Sequence, residues 1–337
     1  MLRWIHRTKL SVLNTVWILV PVVIFVVYVF PETPQSGGLS AVQNKFALSE
    51  CEKRFPELRK RVIVKDSTKE KCEKRFPSAI LVGSQKSGTS ALLQFLNYHP
   101  QIAGCINPDE PRYFNTKLYD NYSLDWYRNL MPCSTSDQIT IEKTPEYLYG
   151  NTSALRIKKL NDKMKILIIL KDPVTVSISV YAMWKALNLS LVDGLSFEDA
   201  ITKVDANNRK VIATNKPVVY VSTYNLHIPT WLKLFSRDQI LFLDGNMYEE
   251  NPAQVLREVE QFLKLRKFFD ESQFVFNATK NKYCFSTNLT SAGECLHASK
   301  GRKHPYVPEE LKNMLYDYFK PLNLELSKMI NHSFSWM

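Results

Sequence analysis

The stretch AILVGSQKSGTSALLQFLNYH, residues 79–99, decides the fold. Ala79–Gly83 is a short unbroken apolar run, the pattern of a strand buried on both faces. From Ser90 onward the apolar residues recur at helical spacing. Between the two lies Gly83-Ser-Gln-Lys86-Ser-Gly88-Thr89-Ser90. Small residues and glycines let successive backbone N–H groups turn inward on an anion, and the helix that follows adds its positive end. The loop nearly fits the nucleotide triphosphate pattern G-x-x-x-x-G-K-[ST], but Thr89 follows Gly88 and the lysine sits earlier, at Lys86. A lysine in that place suits a shorter phosphate group and its leaving oxygen.

Outward from this element the chain alternates. Thr140–Lys143 and Lys165–Leu170 read as strands, the second stopped by Lys-Asp-Pro. Helical spacing follows over Val174–Leu187 and Tyr224–Phe235, then a strand over Gln239–Asp244 and an amphipathic helix over Pro252–Leu263 with proline at its start. Such alternation predicts an α/β domain, a mostly parallel central sheet flanked by helices, over residues 78–337. Trp231, Trp126 and Tyr127 are expected in its core.

The composition agrees. With 45% hydrophobic and 23% charged residues, 10 Gly and 17 Pro, a disordered or collagen-like chain is excluded. Six Cys are too few for a disulfide-built mini-domain, and no C-x-x-C or histidine cluster points to zinc. The 44 Lys+Arg against 33 Asp+Glu leave a net charge of +11, which favours an anionic partner.

Residues 10–30, LSVLNTVWILVPVVIFVVYVF, are apolar over the roughly 20 residues that span a bilayer. Arg3, Arg7 and Lys9 precede them, so the positive-inside rule predicts a cytoplasmic tail (1–9), a transmembrane signal-anchor (10–30) and everything later outside the cytosol. The run is longer than the roughly 7–15 residues of a signal-peptide core. Residues 31–77 read as a stem and charged neck, which repeats CEKRFP at Cys51–Pro56 and Cys72–Pro77. Six N-x-[ST] sequons, at Asn121, Asn151, Asn188, Asn277, Asn288 and Asn331, fit a luminal glycoprotein and speak against nucleic acid as the partner of the positive charge. In that compartment Cys284 and Cys295, flanking a loop of Asn, Ser, Thr and Gly, are read as a disulfide, with two free thiols as the alternative; Cys51, Cys72, Cys105 and Cys133 can pair in three ways.

The loop at Gly83–Ser90, Glu142-Lys-Thr-Pro145, the segment Lys171-Asp-Pro to Ser179, and Cys295-Leu-His-x-Ser-Lys-Gly-Arg-Lys-His304 occur in that order. Together they resemble the heparan sulfate sulfotransferases, above all the glucosaminyl 3-O-sulfotransferases, over about Ser78 to Trp336. The resemblance implies a P-loop-NTPase-like sulfotransferase fold, a Golgi membrane protein of type II topology, 3'-phosphoadenylyl sulfate (PAPS) as donor without a metal, and heparan sulfate or a related glycosaminoglycan as acceptor. It implies that Lys86, Ser87, Gly88, Thr89 and Ser90 hold the donor's 5'-phosphosulfate. Lys171 and Ser179 stand where the family holds the 3'-phosphate, Lys171 replacing the usual Arg. Tyr283 and Lys300, Gly301, Arg302, Lys303 and His304 match a second donor loop. Glu110 stands where the family carries its catalytic base, with Asp109 less favoured; Lys86 would stabilise the leaving nucleotide. Lys143 matches a residue near the acceptor, and Arg112 stands where the 3-O enzymes usually have His. N-sulfation of glucosamine, and a non-catalytic glycan-binding protein on the same fold, are the alternatives.

Overall fold

The computed structural model describes residues 72–104, 110–286 and 304–337, all within one compact unit of the chain. Five parallel strands form its sheet: β2 (Ala79–Gly83), β3 (Ile102–Gly104), β5 (Ile139–Lys143), β6 (Lys165–Leu170) and β9 (Ile240–Asp244), in the order β3-β5-β2-β6-β9. Alternation across the pleat sends each strand's side chains to two cores. Ile80 and Val82 of β2, with Ile166, Ile168 and Leu170 of β6, face one; Ala79, Leu81, Leu167 and Ile169 face the other.

Helices cover both faces, as a sheet apolar on both sides requires. On the first lie α3 (Tyr224–Leu234), through Tyr224, Ile228 and Trp231, and the end of α5 (Glu309–Ile330), through Leu326 and Ile330. On the second lie α1 (Thr89–Leu96), through Leu92, Leu93 and Leu96, and α4 (Pro252–Leu263), through Val255, Leu256 and Val259. Helix α2 (Pro173–Ala186) packs with α5 in a third cluster built from Val176, Val180, Leu311 and Leu315. Trp231 is buried as expected, its Nε1 donating to Leu148 O at 3.0 Å; Tyr127 is buried and Trp126 packs on the same core at its rim.

The prolines act as starts. Pro173 and Pro252 take the first position of α2 and α4, where their missing N–H costs nothing. Asp172 caps α2 by accepting from Val174 N and Thr175 N, and Asn251 caps α4 by accepting from Gln254 N. Lys-Asp-Pro thus ends a strand and begins a helix within three residues.

The last residues read as neck belong to the fold. β1 (Glu73–Lys74) pairs antiparallel with β4 (Cys133–Ser134), and Cys72 is disulfide-bonded to Cys133, which decides one of the three pairings. Cys284, on β11 (Lys282–Phe285) in a hairpin with β10 (Phe274–Asn277), is also disulfide-bonded. Its expected partner Cys295, like Cys51 and Cys105, lies outside the described residues. The Cys72–Cys133 bond closes a separation of 61 residues, so chain entropy predicts that Cys72→Ala/Cys133→Ala lowers unfolding stability by about 4 kcal/mol. The guanidinium midpoint of the double variant reads this; an unmoved midpoint would show that the two-residue ladder alone secures the segment.

The apolar run at residues 10–30 and the stem up to residue 71 lie outside the described residues. No helix among the described residues is long and apolar enough to cross a membrane.

Candidate active site

The chain runs from β2 to β3 and β5 on one side, then crosses to β6 and β9 on the other. At such a reversal the loops leaving the carboxyl ends of neighbouring strands part and leave a crevice. The loop after β2 (residues 84–88), the segment after β5 (144–149), Lys171 after β6 and the turn after β9 all emerge there.

The loop after β2 is built to meet an anion. Lys86 and Gly88 both sit in the left-handed region, at φ 68° and 99°. For Gly88 this is free of strain; for Lys86 it costs on the order of 1 kcal/mol. Gly88 starts α1, which has no side-chain cap and no acidic residue in its first turn. Helices α2 and α4 do have such caps, so α1 alone of these three presents its first N–H groups to an outside acceptor. Ser84 and Ser87 are buried, their hydroxyl oxygens 2.5 Å apart. A Cβ on Gly245 would stand 2.9 Å from Leu170 O and 3.0 Å from Ser87 O, so only glycine lets the turn after β9 close on this loop.

A second positive centre adjoins the first. Burial first, then the charges of Lys86 and Lys171, lower the His304 pKa from its ordinary value. These three residues, far apart in sequence, therefore share one electrostatic neighbourhood. Lys171 forms an ion pair with the exposed Glu249, and its backbone carbonyl accepts from Tyr224 OH at 2.9 Å. Tyr224 OH also lies 3.5 Å from Ser84 Oγ, so one buried tyrosine ties the loop to the end of β6. Ser179 is half-buried two turns into α2. Tyr283 stands on β11 with its ring edge-on to Phe276 at 5.3 Å. Lys300, Gly301, Arg302 and Lys303 lie outside the described residues.

The third part is a cluster of carboxylates interleaved with cations. Lys143 Nζ is buried and donates to Glu110 Oε1 at 2.5 Å and to Ser90 Oγ at 3.3 Å. It thereby joins the first turn of α1 to the half-buried carboxylate of Glu110. Arg112 Nη2 donates to Glu146 Oε1 at 2.9 Å and lies 3.7 Å from Glu110 Oε2. Glu142, on β5 behind them, accepts from Thr144 Oγ1 at 2.6 Å and Tyr127 OH at 3.2 Å. Burial pushes its pKa up to about 7 against those two hydrogen bonds. Among the described residues, no three His, Cys, Asp or Glu side chains converge as a metal site requires.

The structure thus gathers Lys86, Lys171 and His304 in one group, and Ser90, Glu110, Arg112 and Lys143 in another. Asp109 lies outside the described residues. Reading the sequence missed Gln85, Glu146, Tyr224 and Glu249. Glu146 follows Glu142-Lys-Thr-Pro145 directly and was the one within reach of a motif; Tyr224 lies 140 residues from its partner Ser84, which no local pattern encodes. Of the sequons, Asn121, Asn151, Asn188 and Asn331 are exposed and Asn277 is half-buried on β10, while Asn288 lies outside the described residues.

The chain is similar to known proteins. A family described as the sulfotransferase domain matches residues 76–331. The human heparan sulfate glucosamine 3-O-sulfotransferase 3B1 is 34% identical over 266 residues, which cover 78% of this chain and 65% of that protein. The mouse heparan sulfate glucosamine 3-O-sulfotransferase 6 is 35% identical over 266 residues, 78% of this chain and 74% of that protein. The match thus spans a little under two thirds of the first relative's length. A solved sulfotransferase from Alicyclobacillus acidocaldarius shares the fold, with a TM-score of 0.57 and 19% identity over 77% of this chain and 97% of that one.

Proposed function

The chain belongs to the sulfotransferase family, whose domain matches residues 76–331, and from that premise we propose that it transfers a sulfuryl group from PAPS to a glucosamine hydroxyl of heparan sulfate, at the 3-O position. The observation that carries the proposal is the bridge made by Lys143, which touches both Ser90 of the anion loop and the Glu110 carboxylate. It sets a proton acceptor beside the place where the loop would hold an activated anion.

The residues suit the donor. The uncapped start of α1 with Lys86 offers an anion site, and the neighbouring charges of Lys171 and His304 extend it, which suits a donor with phosphate at two ends. When bound, PAPS supplies a sulfuryl group already activated on a phosphate leaving group. The chain's own work is positioning, charge stabilisation and proton transfer. Glu110 accepts the acceptor hydroxyl's proton on Oε2, the oxygen that Lys143 does not hold. Lys143 steers charge between the base and the loop, and Lys86 stabilises negative charge growing at the loop. Arg112 meets the acceptor. The apolar run at residues 10–30 and the sequons support a type II membrane glycoprotein with this domain in the lumen, and the family resemblance adds the Golgi as its compartment.

Product analysis tests the reading. The full-length chain, given radiolabelled PAPS and defined heparan oligosaccharides with N-sulfated or unsubstituted glucosamine, should place label on the 3-oxygen. Label on nitrogen would make it an N-sulfotransferase. Nucleotide binding without transfer would make it a glycan-binding protein on this fold.

A further inference from the structure

Glu146 lies one residue past the Glu142–Pro145 segment, in the 3-10 turn Pro145–Tyr149, and no part of the mechanism above uses it. It is nevertheless tied to both the anion loop and Arg112. Its Oε1 accepts from Arg112 Nη2 at 2.9 Å and from Gln85 Nε2 of the anion loop at 3.1 Å. Its Oε2 is buried without a hydrogen-bond partner. A buried, half-satisfied carboxylate is costly and calls for an account.

The account lies in Arg112. Its backbone is in the left-handed region at φ 49°, and its Nη2 stands between two carboxylates. It hydrogen-bonds Glu146 but stays 3.7 Å from Glu110 Oε2. That oxygen is the one not engaged by Lys143, hence the one that must take up a proton. A guanidinium closing on it would satisfy its lone pairs and make Glu110 a weaker base.

We propose that Glu146 is a positioning residue of the transfer site, which holds Arg112 back from Glu110 and so keeps Glu110 Oε2 able to accept the hydroxyl proton. This rests on Glu110 being the base. The charged and titratable groups facing Glu146 are Arg112 and Glu110 from the segment after β3, Lys143 from β5, and Tyr149 from its own turn. Burial pushes the Glu146 pKa up to about 7, with Arg112 opposing and Glu110 adding to the rise. As pH falls through that value Glu146 gains a proton, loses its charge and releases Arg112. The acid limb of turnover therefore falls near neutrality rather than in the ordinary carboxylate range.

The test is a double-mutant cycle on the full-length chain at saturating oligosaccharide, comparing wild type, Glu146→Gln, Arg112→Ala and both together, with Glu110→Gln as control. Glutamine keeps the size and the acceptor oxygen of Glu146 and removes only its charge. Glu146→Gln should lose about tenfold in kcat, with the KM for PAPS unchanged and the acid limb moved to lower pH. Once Arg112 is gone, Glu146→Gln should cost nothing, and Glu146→Asp should restore part of the wild-type rate. If Glu146→Gln is equally damaging with and without Arg112, or leaves the acid limb in place, the proposal is overturned. If wild type transfers no sulfate, or Glu110→Gln is fully active, it is the reading of Glu110 that fails.

Discussion

Glu110→Gln should lower kcat by about 10²–10⁴-fold while leaving affinity for adenosine 3',5'-bisphosphate unchanged. The change is isosteric and removes the carboxylate proposed to take the hydroxyl proton. It leaves the loop Ser84–Ser90, Lys171 and His304 untouched, the residues to which the proposed function assigns the nucleotide. Some stability should be lost as well. Lys143 is buried, and the variant deprives its Nζ of the carboxylate at 2.5 Å, with Ser90 Oγ at 3.3 Å still within reach. Turnover and nucleotide binding measured on the same preparation separate the two effects. Loss of both together would mean that the variant misfolds around Lys143, and Glu110→Asp, which keeps the charge, then serves as the control. Retention of turnover within a few-fold would remove Glu110 from the chemistry and leave Glu142 and Glu146 as the carboxylates to test.

The difference between what was legible and what was not follows the range of the interactions. β6 and α4 are found at Lys165–Leu170 and Pro252–Leu263, the bounds read from the sequence, because an unbroken apolar run and a proline-started amphipathic period are local signals. The strand Ile102–Gly104 was not legible: three residues hold too little periodicity, and pairing with β5 makes it a strand. Helix α5 escaped for another reason. Pro321 interrupts its interior, and its buried positions Leu311, Leu315, Phe319, Leu326 and Ile330 serve two different cores. At the site, the anion loop and the Glu142–Pro145 segment were legible because each is one continuous stretch of sequence. The contacts among them were not. Lys143 with Ser90 and Arg112 with Glu146 join the ends of different strands, Tyr224 with Ser84 joins the start of α3 to the loop after β2, and the packing that brings them together is a tertiary fact.

Replacing Lys86 by glycine should separate stability from function more sharply than any other change at the site. The backbone there is left-handed at φ 68°, a conformation that glycine adopts without strain, so the folded chain should gain up to about 1 kcal/mol offset by glycine's greater freedom when unfolded. Turnover should nevertheless fall by about 10²–10³-fold, because the cation proposed to meet charge developing at the leaving oxygen is gone. Lys86→Arg should rescue little, since a planar guanidinium on a fixed left-handed backbone does not reproduce a point charge at the loop's centre. An independent readout requires no donor. The Lys86 charge is one of the causes that hold the His304 pKa down, so Lys86→Gly should move the His304 titration upward toward its ordinary value, while Lys171 and burial keep part of the depression. NMR titration of His304 beside steady-state kinetics tests both consequences. A silent histidine would show that the basic loop and the anion loop do not share one site, and the two-ended donor pocket would have to be abandoned even if the variant were inactive.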